Sequence, residues 1–281
     1  GNTAIGYNSL QSINEGDKNT AIGHQALEDV TTGYNNTAIG YRALAANISQ
    51  YNNTAVGMNA MEAMATSYSN TAIGYNAMAA LTNGGGNTAV GEGALSQANS
   101  ASCSQTVAIG QSCMTGAIAG YGNTAVGYGA ISGGSPTNLI NNTVIGREAG
   151  KALTSGHKNT LLGYKAGDAI QAGYQNVSIG ENASAGLVGG FYNVHIGGNS
   201  ALVTTSTHGQ VIIGYNCNAS GNASEQTVLG YNNSGYSGGW FTVVDPDGKS
   251  YINPGSTSWS GTSDAGYKEN VTTSTAGLSF I

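Results

Sequence analysis

The sequence predicts an all-β protein, a parallel β-roll or β-solenoid of about 14 coils, because one short phrase recurs along most of the chain. A Gly that closes TAIG, or a close variant, occurs fourteen times from Gly6 to Gly230. The steps are 17 residues, except for 19 before Gly110 and Gly146 and 16 at the last. Near-fixed spacing of this kind is typical of a solenoid, in which each repeat contacts its neighbours.

The repeating unit is predicted to be a short strand rather than a pair of helices. Each copy holds a four-residue β-compatible core that ends in Gly, and the several Gly and Asn in each period would break two helices. Stacked in parallel at a rise of about 4.8 Å per coil, the fourteen strands would form a rod about 65 Å long.

The composition excludes several classes of protein. Charged residues are 8% of the 281 residues, with 45 Gly and 3 Pro, which fits neither a disordered chain nor collagen. The net charge is -6 and the 8 Lys and Arg show no cluster, so no nucleic-acid partner is expected. No apolar run approaches roughly 18 residues, so no membrane insertion is expected. Gly1 opens within a repeat, as expected of a fragment.

Aligned on the repeat Gly, the columns predict which side chains fill each coil. The residue before the Gly, such as Ile39 or Ile73, is aliphatic in every copy and is expected to lie inside. The residue before it, Ala38 in its copy, points to the opposite face of the strand. Because this second column stays small and apolar, it is expected to be covered by another chain.

The remaining columns predict the turns. Asn stands four places before the Gly in eleven copies, Asn36 among them, and its amide is expected to hydrogen-bond to the next Asn along the stack. Gly40 and Gly74 are expected to turn the backbone. Tyr follows the Gly in seven copies and is expected to be partly exposed, while the small residue three places after the Gly is expected to pack inside a second short strand.

The phrase NTAIGYNAM at residues 70–78, with its relatives, resembles the head repeat of trimeric autotransporter adhesins. That family forms a left-handed parallel β-roll whose repeats read Asn-Ser-Val-Ala-Ile-Gly, with a small residue three places later. The resemblance covers about residues 1 to 234 and implies a homotrimer, which would supply the cover for the Ala column. This chain departs from the family in having Thr where Val is usual, and in its longer 17-residue coil.

The period fails after residue 233, which predicts three parts: a β-roll repeat domain at 1–234, a small C-terminal β module at 235–262 and a last segment at 263–281. In the small module, alternation over Trp240 to Val244 predicts a strand, and the Asp-Pro-Asp-Gly that follows predicts a turn.

The last segment carries SDAGYKENV at 263–271 and GLSFI at its end. These phrases resemble the opening of the intramolecular chaperone, a self-cleaving C-terminal domain of bacteriophage tail fibres and tailspikes. The resemblance implies cleavage between Ser263 and Asp264, with Ser263 as the nucleophile and Lys268 as its activating partner. Where that family usually has Arg-Leu before the Lys, this chain has Gly-Tyr.

Candidate binding residues are few, and no cofactor is expected. His195 stands in the Ala column, where a trimer would bring three copies near its axis, so it is a candidate metal ligand; the alternative is a hydrogen-bonded His at the interface. The aromatic columns either form strips on which sugars stack or cover the edge of the roll. With the two Trp of the small module, the candidate sugar-binding residues are Tyr34, Tyr51, Tyr68, Tyr41, Tyr75, Tyr128, Tyr164, Trp240 and Trp259.

The three Cys are not spaced as a metal site. Cys113 and Cys217 share a column six coils apart, about 29 Å at the stacking rise, so they cannot bridge within one chain and are expected to be small buried residues. Cys103 is expected in a loop, where it would pair only with Cys113 or across chains.

Three functions stay open at this point. The first is a phage tail fibre in the virion tail, a trimer that binds other tail proteins and attaches to a host surface polysaccharide or another receptor. The second is the head of a trimeric autotransporter adhesin on the bacterial cell surface. The third is a polysaccharide depolymerase, which needs two converging carboxylates that no motif here requires. The motif at 263–271 favours the first, with no enzymatic activity beyond autoproteolysis.

Overall fold

The computed structural model describes residues 1–46, 49–64, 66–96, 103–116, 120–134, 137–235, 241–245, 248–252 and 259–261. Within these ranges the chain is all β and forms a parallel β-solenoid of about 13 turns, as the repeat predicts. The described part contains no helix long and apolar enough to cross a membrane.

The strands are short, most of them three residues. In chain order they are β1 Thr3–Ile5, β2 Thr20–Ile22, β3 Thr37–Ile39, β4 Thr54–Val56, β5 Thr66–Tyr68, β6 Thr71–Ile73, β7 Asn83–Gly85, β8 Thr88–Val90, β9 Cys103–Ser104, β10 Val107–Ile109, β11 Gly120–Tyr121, β12 Thr124–Val126, β13 Leu139–Ile140, β14 Thr143–Ile145, β15 Thr160–Leu162, β16 Val177–Ile179, β17 Gly189–Phe191, β18 Val194–Ile196, β19 Ser206–His208, β20 Val211–Ile213, β21 Thr227–Leu229, β22 Phe241–Asp245, β23 Gly248–Ile252 and β24 Trp259–Gly261.

The strands that end before the repeat Gly stack into one long parallel sheet, the main sheet, in strict register. In the pairing of β3 with β4, for example, Ala38 lies opposite Ala55 and Ile39 opposite Val56. The remaining short strands, β5 with β7, β9 with β11 and β13, and β17 with β19, form parallel ladders on a second side of the coil. At the end of the rod β22 pairs in parallel with β21, and β23 and β24 follow antiparallel.

The orientation predicted for the main sheet is wrong. Ala38 and its equivalents are fully buried inside the coil, whereas Ile39 is 38% exposed and Ile73 is 42% exposed on the outer face. The interior is filled instead from the corner, where Leu27, Leu44 and their equivalents are fully buried. A coil of 17 residues encloses little space, so one large side chain from the corner leaves room only for Ala opposite it.

Four coils place a larger aliphatic residue in the inner column, at Val144, Leu161, Ile212 and Val228, and the first two show the exchange of large and small residues with Gly at the corner. Val144 and Leu161 occupy the inner Ala column, and the corner positions of the same coils are Gly150 and Gly167. A Cβ on Gly150 would lie 3.0 Å from Leu161 Cδ1, and a Cβ on Gly167 would lie 2.8 Å from Leu161 Cδ2. The larger strand residues therefore occupy the space that Leu fills in other coils, and the packing volume is conserved.

The second strand predicted after the repeat Gly is replaced by a tight corner. Arg42 and Leu44 have φ values of 53° and 52°, in the left-handed region. This conformation costs about 1–2 kcal/mol per residue. It is maintained because both amides hydrogen-bond to adjacent coils: Arg42 N donates to His24 O at 3.0 Å, and Leu44 N to Ala60 O at 3.0 Å. The small residues of the corner, such as Ala43, are fully buried as predicted.

The predicted Asn ladder is confirmed, and it runs inside the coil. Asn36 Oδ1 accepts hydrogen bonds from the backbone N of Asn53 at 3.0 Å and from its Nδ2 at 3.2 Å. Asn36 Nδ2 donates to Asn19 Oδ1 at 3.1 Å and to Gln50 O at 2.9 Å. Each buried amide thus satisfies both its own polar atoms and a backbone N–H of the next coil, as burial of polar groups requires.

The repeat Gly is required by the stacking distance as well as by its conformation. Gly74 has a φ of 137°, and a Cβ built on it would lie 2.6 Å from the carbonyl oxygen of Gly91 in the next coil. Backbone lies directly against backbone here, so no rotamer change relieves the contact. Gly93, only two residues beyond Gly91, has a φ of 63°, and a Cβ placed on it would meet only Ser96 Oγ, at 3.7 Å.

Gly74→Ala is therefore expected to lower the free energy of unfolding by about 3 kcal/mol or more, from backbone strain and overpacking together. Gly93→Ala, one coil away, adds the same methyl group in open space and should cost about 1 kcal/mol, the penalty for a left-handed Ala. Urea denaturation followed by circular dichroism measures both. Equal losses in the two variants would contradict the role given to the backbone contact.

Candidate functional site

In-register stacking makes every outward residue of the coil part of a column that runs along the rod. On the main sheet the outward column before the Gly is a continuous apolar surface, here called the apolar stripe: Ile22, Ile39, Val56, Ile73, Val90, Ile109, Val126, Ile145, Leu162, Ile179, Ile196, Ile213 and Leu229. Thr and Val two residues earlier in each strand lie beside it and are half-buried in most coils. The stripe offers apolar surface and Thr hydroxyls, with no titratable group for catalysis.

The aromatic column six places before the Gly forms a stack of parallel rings. Tyr34 and Tyr51 have ring centroids 5.2 Å apart at an interplanar angle of 7°, and Tyr51 and Tyr68 are 5.5 Å apart at 10°. Because each ring covers the face of its neighbour, a sugar cannot stack between them. Ring edges and hydroxyl groups are what this column presents to solvent.

A second stack lies in the same column, and its His and Phe members were not singled out by the sequence reasoning. His157, Tyr174, Phe191 and His208 have successive centroid distances of 5.1, 4.9 and 5.1 Å. Tyr192 packs edge-on against both Tyr174 and Phe191. The signal was present in the sequence, since these residues fall in the Tyr34 column once His and Phe are accepted as ring equivalents.

The Tyr side chains that follow the Gly are exposed as predicted, and they contact different residues in different coils. Tyr41 stacks on His24 with centroids 5.3 Å apart. Tyr75, 45% exposed, lines an open groove of about 710 Å³ together with Arg42, Glu62 and Glu92. Arg42 Nη2 lies 3.0 Å from Glu62 Oε1 in that groove. The groove thus combines an accessible ring with charged and amide side chains, the mixture that a polar ligand such as a sugar requires.

Contrary to the sequence reading, the cationic residues do form a cluster. Arg147, Lys151 and Lys165, here called the basic cluster, each place a nitrogen 3.7 to 3.9 Å from a carboxylate oxygen of Glu148. Of the 8 Lys and Arg in the chain, four lie between residues 147 and 165, which was the missed signal. The sequence spacing alone does not show that Lys165 lies near Arg147, because Lys165 belongs to the next coil and folding brings the two together.

The predicted role of His195 at a trimer axis is wrong, because its side chain is fully buried inside the coil. Its Nδ1 lies 2.6 Å from Ser184 Oγ, and its Nε2 lies 3.0 Å from Gln210 Oε1. Ser184 Oγ in turn lies 2.6 Å from Ser178 Oγ. Gln210 Nε2 donates to Ala223 O, which leaves Gln210 Oε1 as the acceptor that faces the ring. His195 Nε2 therefore carries the proton and donates to Gln210 Oε1, and His195 Nδ1 accepts a hydrogen bond from Ser184 Oγ.

Burial lowers the pKa of His195 to about 4, and the hydrogen bond to Gln210 opposes that shift without cancelling it. His195 is therefore neutral at physiological pH. Although His195 and Ser184 resemble a base beside a nucleophile, both are fully buried, so no substrate reaches them. The group is a satisfied polar core, in which Gln210, standing where most coils have Asn, contacts the ring.

The three Cys are free and buried, which confirms Cys113 and Cys217 as small interior residues. Cys103 lies in strand β9 rather than in a loop. Burial raises the pKa of Cys103 to about 11 and that of Cys113 to about 12, so neither thiol is a reactive nucleophile at neutral pH.

The other predicted site residues fall at the C-terminal end. Ser263, Lys268 and Trp240 lie outside the described residues, and Trp259 lies in β24, where only the backbone is described. In the ranges that the structure describes, no group of three His, Cys, Asp or Glu residues is arranged to hold a metal ion.

Comparisons of the chain with protein-family models, curated proteins and solved structures return no match. Any function assigned to the chain must therefore be inferred from the surface columns and the basic cluster.

The buried His195 makes stability depend on pH. Since the folded pKa lies near 4 and the unfolded value near 6.5, the unfolded chain binds the proton first as pH falls. The stability contributed by neutral His195 is complete above about pH 6.5 and declines toward pH 4, by about 2 kcal/mol between pH 7 and pH 5.

Urea denaturation at pH 7 and pH 5 measures this decline, which His195→Ala should abolish even though the variant is less stable overall. His24→Gln removes an exposed imidazole and should leave the decline intact. An unchanged decline in His195→Ala would assign the pH dependence to other groups.

Proposed function

We propose that this chain is the rod of a homotrimeric phage tail fibre, which attaches the virion to a bacterial surface polysaccharide or another receptor. The observation that carries the proposal is the apolar stripe, a column of aliphatic side chains that is exposed along the outer face of the main sheet. Among the described residues of the coils, His195, Ser184 and the three Cys are buried, and a repetitive rod is suited to spanning distance and displaying loops.

The stripe favours further copies of the same chain as its partner. Parallel sheets are normally covered on both faces, and exposed apolar patches of this extent mark interaction sites. A partner that covers the stripe along its length must present matching side chains at the same spacing per coil, and another copy of this rod does so. The resemblance of the repeat to trimeric autotransporter heads supplies the number three.

This assignment replaces the sequence-based choice of interface. The Ala column predicted to face a neighbouring chain is interior, and the Ile column predicted to be interior takes its place. A stripe of Ile, Val and Leu favours association more strongly than a column of Ala would, because these side chains bury more apolar surface.

The groove beside Tyr75 and the exposed edges of the two aromatic stacks are the proposed receptor-facing surfaces. A bacterial trimeric adhesin head is the alternative, with the same rod and a different anchor. The resemblance at residues 263–271 to self-cleaving tail-fibre chaperones supports the phage fibre, with Ser263 and Lys268 proposed to perform the cleavage. The C-terminal sequence of the whole gene distinguishes the two: a chaperone-like domain supports the fibre, and a membrane anchor domain would overturn it.

Disruption of the stripe is expected to dissociate the trimer. Ile73→Lys combined with Ile109→Lys places two charges in the covered surface, where unpaired burial is strongly unfavourable, and sedimentation should report a monomer. Val203→Lys is the matched control, since Val203 is also an exposed aliphatic residue, 57% exposed, but lies outside the stripe. A monomeric unmodified chain, or a double variant that remains trimeric, would refute this interface.

Attachment is tested by retention of the trimer on an array of bacterial surface polysaccharides. Retention on one of them supports a receptor-binding fibre. Absence of retention on every polysaccharide and on whole host cells would leave a structural spacer.

A further inference from the structure

We propose that the basic cluster is a binding site for the anionic group of an acidic glycan. The inference rests on the proposed attachment function and specifies the chemistry of the receptor. The site is formed by three successive coils, which contribute Tyr128, Arg147, Glu148, Lys151, Tyr164 and Lys165.

The backbone fixes where these side chains begin. Glu148 N donates to Tyr128 O at 2.9 Å, and Lys165 N donates to Arg147 O at 3.0 Å, so the three coils are held in register. The guanidinium carbon of Arg147 lies 5.5 Å from the ring centroid of Tyr128 and 5.8 Å from that of Tyr164. Stacked between two rings, the guanidinium is held in place before any ligand arrives, which reduces the entropy lost on binding.

The charges do not cancel. Arg147, Lys151 and Lys165 surround the single carboxylate of Glu148, which is mostly buried, while Arg147 and Lys151 are 64% and 50% exposed. Asp168 lies near this group; burial raises its pKa, with Lys165 opposing and Glu148 adding to the increase. Even with Asp168 ionised, three cations face two carboxylates, and the cationic nitrogens are the outer, solvent-facing members.

The negative charge of the rest of the chain limits anion binding to the basic cluster. The chain carries a net charge of -6, so its surface as a whole repels polyanions. A local excess of cations on such a surface binds a carboxylate or phosphate only where the donors converge. Arg147 directs its Nε toward Glu148, which leaves the terminal nitrogens of the guanidinium available for a second anion. The exposed edges of Tyr128 and Tyr164 flank this position and can contact the sugar ring that carries the anion.

The test is binding of the trimer to immobilised oligogalacturonate at low ionic strength, with its methyl ester as the neutral counterpart and a phosphomannan as the phosphate-bearing glycan. The unmodified trimer should bind at least one acidic glycan and not the ester, and 0.5 M NaCl should weaken the binding because exposed charges are screened. Binding to both acidic glycans identifies a general anion site, and binding to one identifies the anion. Equal binding to the ester, or no binding to either acidic glycan, overturns the proposal.

Three single variants locate the site. Arg147→Gln should weaken binding about tenfold, since a hydrogen bond to a charged group is lost. Lys18→Gln removes an exposed cation from another coil, outside the cluster and outside the groove beside Tyr75, and should leave binding unchanged. Glu148→Gln removes the carboxylate that competes for the three cations and should strengthen binding severalfold.

The Glu148→Gln result is the most informative, because a misfolded protein does not gain affinity. Weaker or unchanged binding by this variant, or equal losses in Arg147→Gln and Lys18→Gln, would show that the cluster is only a surface ion network. Retention on a host polysaccharide that survives Arg147→Gln would overturn this site and leave the proposed attachment function standing. Binding of oligogalacturonate through Arg147 with no retention on any host surface would support this site and overturn the proposed attachment function.

Discussion

The constraint on which the rest of the structure depends is in-register stacking, which places each residue directly against its counterpart one coil away. Every column must therefore be compatible with itself at about 4.8 Å. Gly satisfies this where backbones touch, as at Gly74, and Asn satisfies it because its amide both donates and accepts. Aromatic rings satisfy it by stacking. A column of like charges would repel along its length, which explains why only 8% of the residues are charged and why Arg147 has Tyr above and below it.

This constraint also explains how much of the fold could be predicted from the sequence. The repeat, the strands and the Asn ladder follow from columns of self-compatible residues, and all three are confirmed. The direction of each column relative to the coil does not follow, because Ala38 and Ile39 are adjacent apolar residues and alternation fits either choice. The deciding information was in the coils of Val144 and Leu161, where Gly replaces the corner Leu in the same repeat. A larger strand residue is expected to be paired with a Gly at the corner only when both positions face the same interior, so this pairing indicates that the Ala column points inward.

The candidate site was harder to predict for a related reason. Columns reveal what recurs, and the basic cluster occurs once, from residues 18 positions apart that the 17-residue coil brings together. His195 was correctly identified as unusual, but its role depended on the direction of its column. Once that column is interior, the same residue changes from a candidate ligand at an axis to a neutral, fully bonded member of the core.

The exchanged packing at Val144, Gly150, Leu161 and Gly167 has a consequence for how the length of such a rod can change. Coils with Ala on the strand and Leu at the corner present the same interior to both neighbours, so one of them can be duplicated or lost without repacking. The two exchanged coils share a contact across their boundary, since Gly150 provides space for Leu161. If the two coils were separated, the space beside Gly150 would be left unfilled, and Leu161 would overlap with a large corner residue of its new neighbour. Recombination between repeats is therefore expected to alter the rod elsewhere and to transmit these two coils as a single unit.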